Sequence, residues 1–126
     1  MTPKLDCIGL VVADMGASLA FYRRLGFDVP LEHDTEPHVE AALPGGMRFT
    51  WDTVDTIRSF YPEWTKPTGG NNVGLAFRCE DVDKTYQELV DAGYTGEKEP
   101  WDAFWGQRYA CVEDPDGNIV DLFAPL

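Results

Sequence analysis

Leu5 to Phe27 reads LDCIGLVVADMGASLAFYRRLGF, and Asn72 to Tyr94 reads NVGLAFRCEDVDKTYQELVDAGY. The second stretch starts sixty-seven residues after the first and keeps its pattern without a gap, pairing Cys7 with Gly74, Asp14 with Asp81, Gly26 with Gly93 and Phe27 with Tyr94. Each copy reads as a strand, a capped helix and a turn. Ile8 to Val12 is apolar and rich in β-branched residues, the pattern of a strand buried on both faces. Asp14 supplies an N-cap carboxylate, Leu19, Tyr22 and Leu25 an apolar helical face, and Gly26 the left-handed C-terminal cap. Asp81, Val82, Tyr86, Leu89, Val90 and Gly93 repeat that order in the second copy.

The repeat runs past the helices. Pro44, Gly46 and Thr50 match Pro115, Gly117 and Asp121 at a constant offset of seventy-one. The expected architecture is therefore α+β, two βαβββ modules in one domain spanning residues 1–126, with module 1 at about 1–60, a linker at 61–71 and module 2 at about 72–126. A module of that size buries only about 60% of its unfolded surface, so the two are expected to share a core.

Between these landmarks, Asp28 to Pro30, following Phe27, reads as continuing a short strand. His38 to Leu43 and Met47 to Asp52 form a hairpin across Pro44-Gly45-Gly46. Thr53 to Phe60 is a helical turn, and the Pro- and Gly-containing segment Tyr61 to Asn72 is the linker. Gly96 to Phe104 reads as an irregular strand and loop. Gln107 to Glu113 and Asn118 to Phe123 make the last hairpin, turned by Asp114-Pro115-Asp116-Gly117.

Ten basic against twenty-two acidic residues give a formal charge of -12, with a pI near 4.3. That balance argues against nucleic acid as a partner, which demands a positive surface, and favours cationic over anionic ligands. No apolar run is long enough to cross a membrane and no secretory leader is evident at MTPKLDC, so a cytoplasmic protein with no membrane partner is expected. Cys7, Cys79 and Cys111 are odd in number and sit in apolar strand patterns, which reads as buried free thiols.

With the repeat and the DPDGNIVDLF segment in place, the chain resembles the vicinal oxygen chelate superfamily, also called the glyoxalase, bleomycin-resistance and extradiol-dioxygenase superfamily. IGLVVADMGASLAFYRRLGF, VGLAFRCEDVDKTYQELVDAGY and DPDGNIVDLF carry the resemblance. It implies two modules whose mixed sheets curl into a cupped, barrel-like cavity, assembled as a homodimer. Enzymes of this superfamily hold a divalent metal through positions that match Cys7, Thr50, Gly74 and Asp121. Three or four convergent donors are needed, and this set offers one hard carboxylate, a thiol, a neutral hydroxyl and a glycine. No metal and no other cofactor is therefore expected, and no catalytic residue is assigned.

Without the metal, the resemblance points to the branch that confers antibiotic self-resistance by sequestering bulky aromatic natural products, of the bleomycin, mitomycin or enediyne kinds, in a crevice at the dimer interface. Trp64, Trp101, Phe104, Trp105 and Tyr109 are candidate crevice walls, because indole and phenyl rings sandwich flat conjugated ligands. Trp51 is assigned to the core. Strand alternation adds Arg48, Thr50, Asp52, Arg78 and Asp121 to the lining, with Gly9, Ala76 and Ile119 beside them; His38 is a candidate at the cavity mouth, and Glu40, Asp52 and Asp121 are candidate acceptors for donor groups of a cationic or hydroxylated ligand. Arg48 and Arg78 are open to pairing with neighbouring acids instead. The alternative reading is a glyoxalase-like lyase, isomerase or dioxygenase with a degenerate metal site, using Asp121 or Glu40 as base.

Overall fold

The computed structural model describes residues 2–67 and 72–126, so residues 68–71 of the expected linker lie outside the described residues. The chain divides into two compact units, Met1–Pro67 and Thr68–Leu126.

In the first unit the order is β1 (Cys7–Val12), α1 (Met15–Arg24), β2 (His38–Ala42), β3 (Arg48–Thr53) and the short α2 (Val54–Arg58). Helix α1 starts where Asp14 accepts a hydrogen bond from the Ala17 N–H at 2.9 Å, and it ends on Gly26, whose φ of 103° is open to glycine at little cost. β1 runs parallel to the central β3, and β2 runs antiparallel on its other side. Alternation along β3 sends Phe49 and Trp51 to the face that carries the apolar core, with Tyr22 of α1 and Phe27 packed on them at ring separations of 5.0 to 6.0 Å. Leu19, Tyr22 and Trp51 are fully buried, as the core assignment of Trp51 requires.

The second unit repeats the plan with β4 (Leu75–Arg78), α3 (Val82–Asp91), β5 (Gly96–Ala103), β6 (Gln107–Glu113) and β7 (Ile119–Pro125). Asp81 caps α3 by accepting from the Lys84 N–H at 3.0 Å, and Gly93 ends it with φ 99°. The sheet order is β4-β7-β6-β5, with β4 parallel to β7 and the other pairs antiparallel. Val82 and Leu89 of α3, with Ala110, Val112, Val120 and Leu122, form its buried core. The DPDG turn is held by Asp114, whose carboxylate accepts from the Asp116 and Asn118 N–H groups at 2.9 and 2.8 Å.

Four expectations are corrected. Phe27 to Pro30 forms no strand, so the first unit is βαββ and carries three strands against four in the second. The cause is Arg23, whose guanidinium takes the Val29 and Pro30 carbonyls at 2.6 and 2.9 Å, groups that a neighbouring strand would otherwise use, and then pairs with Asp34 at 2.8 Å. β1 is not buried on both faces: Gly9 is exposed and only Val12 is fully covered. The two sheets are open, and neither closes into a barrel. The three thiols are free but half-buried rather than buried. Among the described residues no helix is long and apolar enough to cross a membrane.

Candidate functional site

Each sheet keeps one face for its core and turns a polar or aromatic face the other way. In the first unit the register Cys7↔Arg48↔Ala42, Gly9↔Thr50↔Glu40 and Val11↔Asp52↔His38 puts His38, Glu40, Arg48, Thr50 and Asp52 on one face, as alternation predicts. Their side chains are tied to one another. His38 Nδ1 lies 2.5 Å from Asp52 Oδ1 and Nε2 lies 2.7 Å from Glu40 Oε2. Arg48 donates to the same Glu40 oxygen at 2.7 Å and to Asp6. The Glu40 carboxylate, then that of Asp52, raises the His38 pKa above its ordinary value, and His38 followed by Arg48 lowers that of Glu40. Thr50 is buried, with its hydroxyl packed so closely under Gly9 that a Cβ there would come to 2.7 Å.

The second unit's corresponding face is aromatic. Trp101↔Tyr109↔Phe123↔Arg78 is one row across four strands, and Lys98↔Cys111↔Asp121↔Ala76 is the next. Trp101 and Trp105 meet Tyr109 edge-on at 5.4 and 5.3 Å, and Phe104 leans on Trp105 at 5.1 Å. Phe104 is 97% exposed and Trp105 49% exposed, although each has aromatic neighbours. Tyr109 donates its hydroxyl to Asp121 Oδ2 at 2.7 Å. Burial, reinforced by that carboxylate, pushes the Tyr109 phenol up to about 12 and the Cys111 thiol up to about 11, so both stay protonated at neutral pH.

Of the residues picked from the sequence, the structure brings together Trp101, Phe104, Trp105, Tyr109 and Asp121 in the second unit, with Arg78 at the far edge of the same face. His38, Glu40, Arg48, Thr50 and Asp52 come together in the first. Trp64 joins neither cluster; it is half-buried after α2, its carbonyl accepting from Arg58 at 3.0 Å. Arg48 is taken up by Glu40 and Asp6, whereas Arg78 is exposed and has no ion pair among the described residues. It borders an open concavity of about 560 Å3 with Cys79, Glu80, Ala124 and Pro125. Sequence reasoning missed four participants. Lys98 lies over the Trp101 ring at 4.2 Å, Gln107 accepts from the Trp105 indole at 2.8 Å, and Cys111 and Phe123 flank Asp121. The last two were accessible from strand parity, but Lys98 was not, because two register shifts in β5 break the alternation.

The four positions that match the superfamily's metal ligands do not fit a metal. In the first unit the two positions hold a half-buried thiol, Cys7, and a buried neutral hydroxyl, Thr50. In the second, Gly74 has no side chain and one Asp121 oxygen is already engaged by Tyr109. Neither unit supplies more than one ionisable donor at these positions, and among the described residues no group of three His, Cys, Asp or Glu is arranged to hold an ion.

Known proteins match this arrangement from end to end. A protein of Bacillus subtilis strain 168, the uncharacterized YraH, is 32% identical over 130 residues, covering 98% of this chain and 99% of its own. A glyoxalase/bleomycin resistance protein/dioxygenase family enzyme from Burkholderia phytofirmans superposes with a TM-score of 0.80 at 20% identity over 98% of this chain and 100% of that one. A superfamily member from Sphaerobacter thermophilus gives 0.67 at 28% identity, with 97% of each chain covered. The profile of the Glyoxalase/Bleomycin resistance protein/Dioxygenase superfamily matches residues 4–122, and with the paired modules and their equivalent registers Gly9↔Thr50 and Ala76↔Asp121 it establishes that the chain belongs to that superfamily.

Proposed function

We propose that this protein is a non-catalytic binding protein that sequesters a bulky aromatic natural product, working as a homodimer. The observation that carries the reading is the ring cluster in which half-buried Trp101 and Tyr109, on one face of the second sheet, meet the exposed Trp105 and Phe104 of the turn between β5 and β6. Four rings held at fixed mutual angles, one of them almost wholly exposed, form a preorganised wall for a flat conjugated ligand. Isolated exposed apolar residues are ordinary, but a contiguous aromatic group points to an occupant.

The chemistry of the face supports binding over turnover. Tyr109 and Cys111 are protonated at neutral pH and share the Asp121 carboxylate, so neither is poised as a base or nucleophile. His38 has a carboxylate at each ring nitrogen, an arrangement that favours a standing imidazolium over a proton acceptor. Protection by sequestration needs affinity near the nanomolar range, about -12 kcal/mol, which stacked aromatic area reaches without a reaction.

Tryptophan fluorescence titrated with bleomycin, a mitomycin and an anthraquinone-type enediyne tests the proposal, with each compound recovered afterwards. Saturable quenching at a stoichiometric ratio and unchanged compound is the expected result. Recovery of a modified product would overturn the non-catalytic reading, and absence of quenching by all three would remove these ligand classes.

A further inference from the structure

We infer that the ligand of the aromatic face carries an anionic group, a carboxylate or phenolate, held against Arg78. The inference rests on the aromatic-binding reading and adds the charge of the ligand to it.

Arg78 stands out among the chain's arginines. Arg23 is held by Asp34, Arg48 by Asp6 and Glu40, and Arg108 by Asp83 and Asp102. Arg58 donates to the Trp64 carbonyl, and Arg24 sits in the last turn of α1, where a cation meets the carbonyl end of the helix dipole. Among the described residues Arg78 is a strand residue with neither kind of support, in a chain with twenty-two acidic residues to draw on.

Its position gives that free charge a use. Arg78 lies opposite Phe123, Phe123 opposite Tyr109, and Tyr109 opposite Trp101, so the guanidinium ends a row whose other members are all aromatic. Adjacent strands are about 4.8 Å apart, which sets the Arg78 backbone about 10 Å from that of Tyr109 and about 15 Å from that of Trp101. A molecule of two or three fused rings lying along the row therefore presents one end to the indoles and the other to the guanidinium. Ala76, one row over, leaves space beside Asp121 rather than a competing side chain. Asp121 is itself engaged by the Tyr109 hydroxyl, which lessens its repulsion of an incoming anion. At the opposite end Lys98 lies over Trp101, so the aromatic row is flanked by cations on both sides.

The overall charge of -12 opposes anions at long range, but that field is screened beyond about 8 Å at physiological ionic strength, whereas a planar guanidinium acts at contact and pairs bidentately with carboxylates. Global charge therefore governs the rate of approach, and Arg78 governs which ligand is retained.

The test compares anthraquinone-2-carboxylate with its methyl ester, which has the same rings and no charge, by quenching and by calorimetry. The wild-type protein is expected to prefer the carboxylate by about fivefold, a preference that falls with added salt. In Arg78→Gln the preference is expected to vanish, and Arg78→Lys should keep part of it because the charge remains without the fork. Equal binding of acid and ester by the wild-type protein, or a preference that survives Arg78→Gln, would overturn the inference while leaving aromatic binding in place. Binding of neither compound would overturn the inference, and the titration with bleomycin, a mitomycin and an enediyne would then decide whether aromatic binding stands.

Discussion

Tyr109 and Asp121 stand diagonally across β6 and β7, and the phenol donates to the carboxylate over 2.7 Å. That bond fixes the ring against which Trp101 and Trp105 pack, so it orders the aromatic wall as well as joining two strands. Asp121→Asn is expected to lower the Tyr109 pKa from about 12 part of the way towards its ordinary 10.0, because burial, the larger cause, remains. Phenolate absorbance in an alkaline titration measures this. The sign for stability follows. A raised folded-state value stabilises the protein below the unfolded pKa, and the contribution is lost as pH rises from 10.0 through about 12. Tyr109→Phe is expected to cost about 0.5–1.5 kcal/mol in chemical denaturation, the range of a single hydrogen bond.

His38 titrates the other open face. Glu40 and Asp52 raise its pKa, so the imidazolium is favoured in the folded state. Its contribution to stability is complete below the ordinary value of 6.5 and fades as pH rises through the higher folded value. Glu40→Gln should shift the midpoint down more than Asp52→Asn, since the Glu40 hydrogen bond is the larger cause. Imidazole chemical shifts followed by NMR report the midpoint directly. A larger shift in Asp52→Asn would reverse the assignment of the dominant partner.

The modules were legible because their punctuation is local and occurs twice. Asp14 and Asp81 cap, Gly26 and Gly93 terminate, and Gly46 and Gly117 turn with φ values of 86° and 84°. Even the equivalence of Thr50 and Asp121 followed from spacing, and the registers Gly9↔Thr50 and Ala76↔Asp121 agree with it. What escaped was set by side-chain pairings that no periodic pattern encodes, whether six residues apart or forty-two. Nothing near Phe27 announces that Arg23 will claim the carbonyls of Val29 and Pro30, and nothing near Arg48 announces Asp6, forty-two residues away. The aromatic cluster was visible as composition, but its placement on the face of Asp121 depended on β5, where Pro100 and two register shifts defeat a period of two.

Metal addition is expected to leave thermal stability unchanged. A ligand that binds the folded state at a hundred times its Kd would add about 2.7 kcal/mol, enough to move a melting curve of a domain this size by several degrees. Cys7, Thr50, Gly74 and Asp121 offer a single hard carboxylate, and one of its oxygens already accepts from Tyr109, so no such site is expected at these positions. Melting curves with zinc, manganese or nickel, each against chelator, measure the effect. A rise with any one of them would return metal chemistry to consideration.

Trp105 and Trp51 divide the roles of tryptophan in this chain, and paired substitutions separate them. Trp105 is 49% exposed, tethered by Gln107 and packed edge-on against Phe104 and Tyr109. Trp105→Ala is expected to cost about 1 kcal/mol of folding stability, from the lost edge-on contacts and indole hydrogen bond of a half-covered ring, while weakening aromatic ligand binding about tenfold, since a stacked ring is worth about 0.5–1.5 kcal/mol beyond its area. Trp51 is fully buried among Tyr22, Phe27 and Phe49. Trp51→Ala should cost about 3–5 kcal/mol through the cavity it leaves. Trp51→Phe should cost clearly less, because it keeps most of the packing and removes a buried indole N–H that has no hydrogen-bond partner among the described residues. Urea denaturation and ligand titration on the three variants give the comparison. Loss of binding in Trp51→Phe with none in Trp105→Ala would move the ligand off the second sheet altogether.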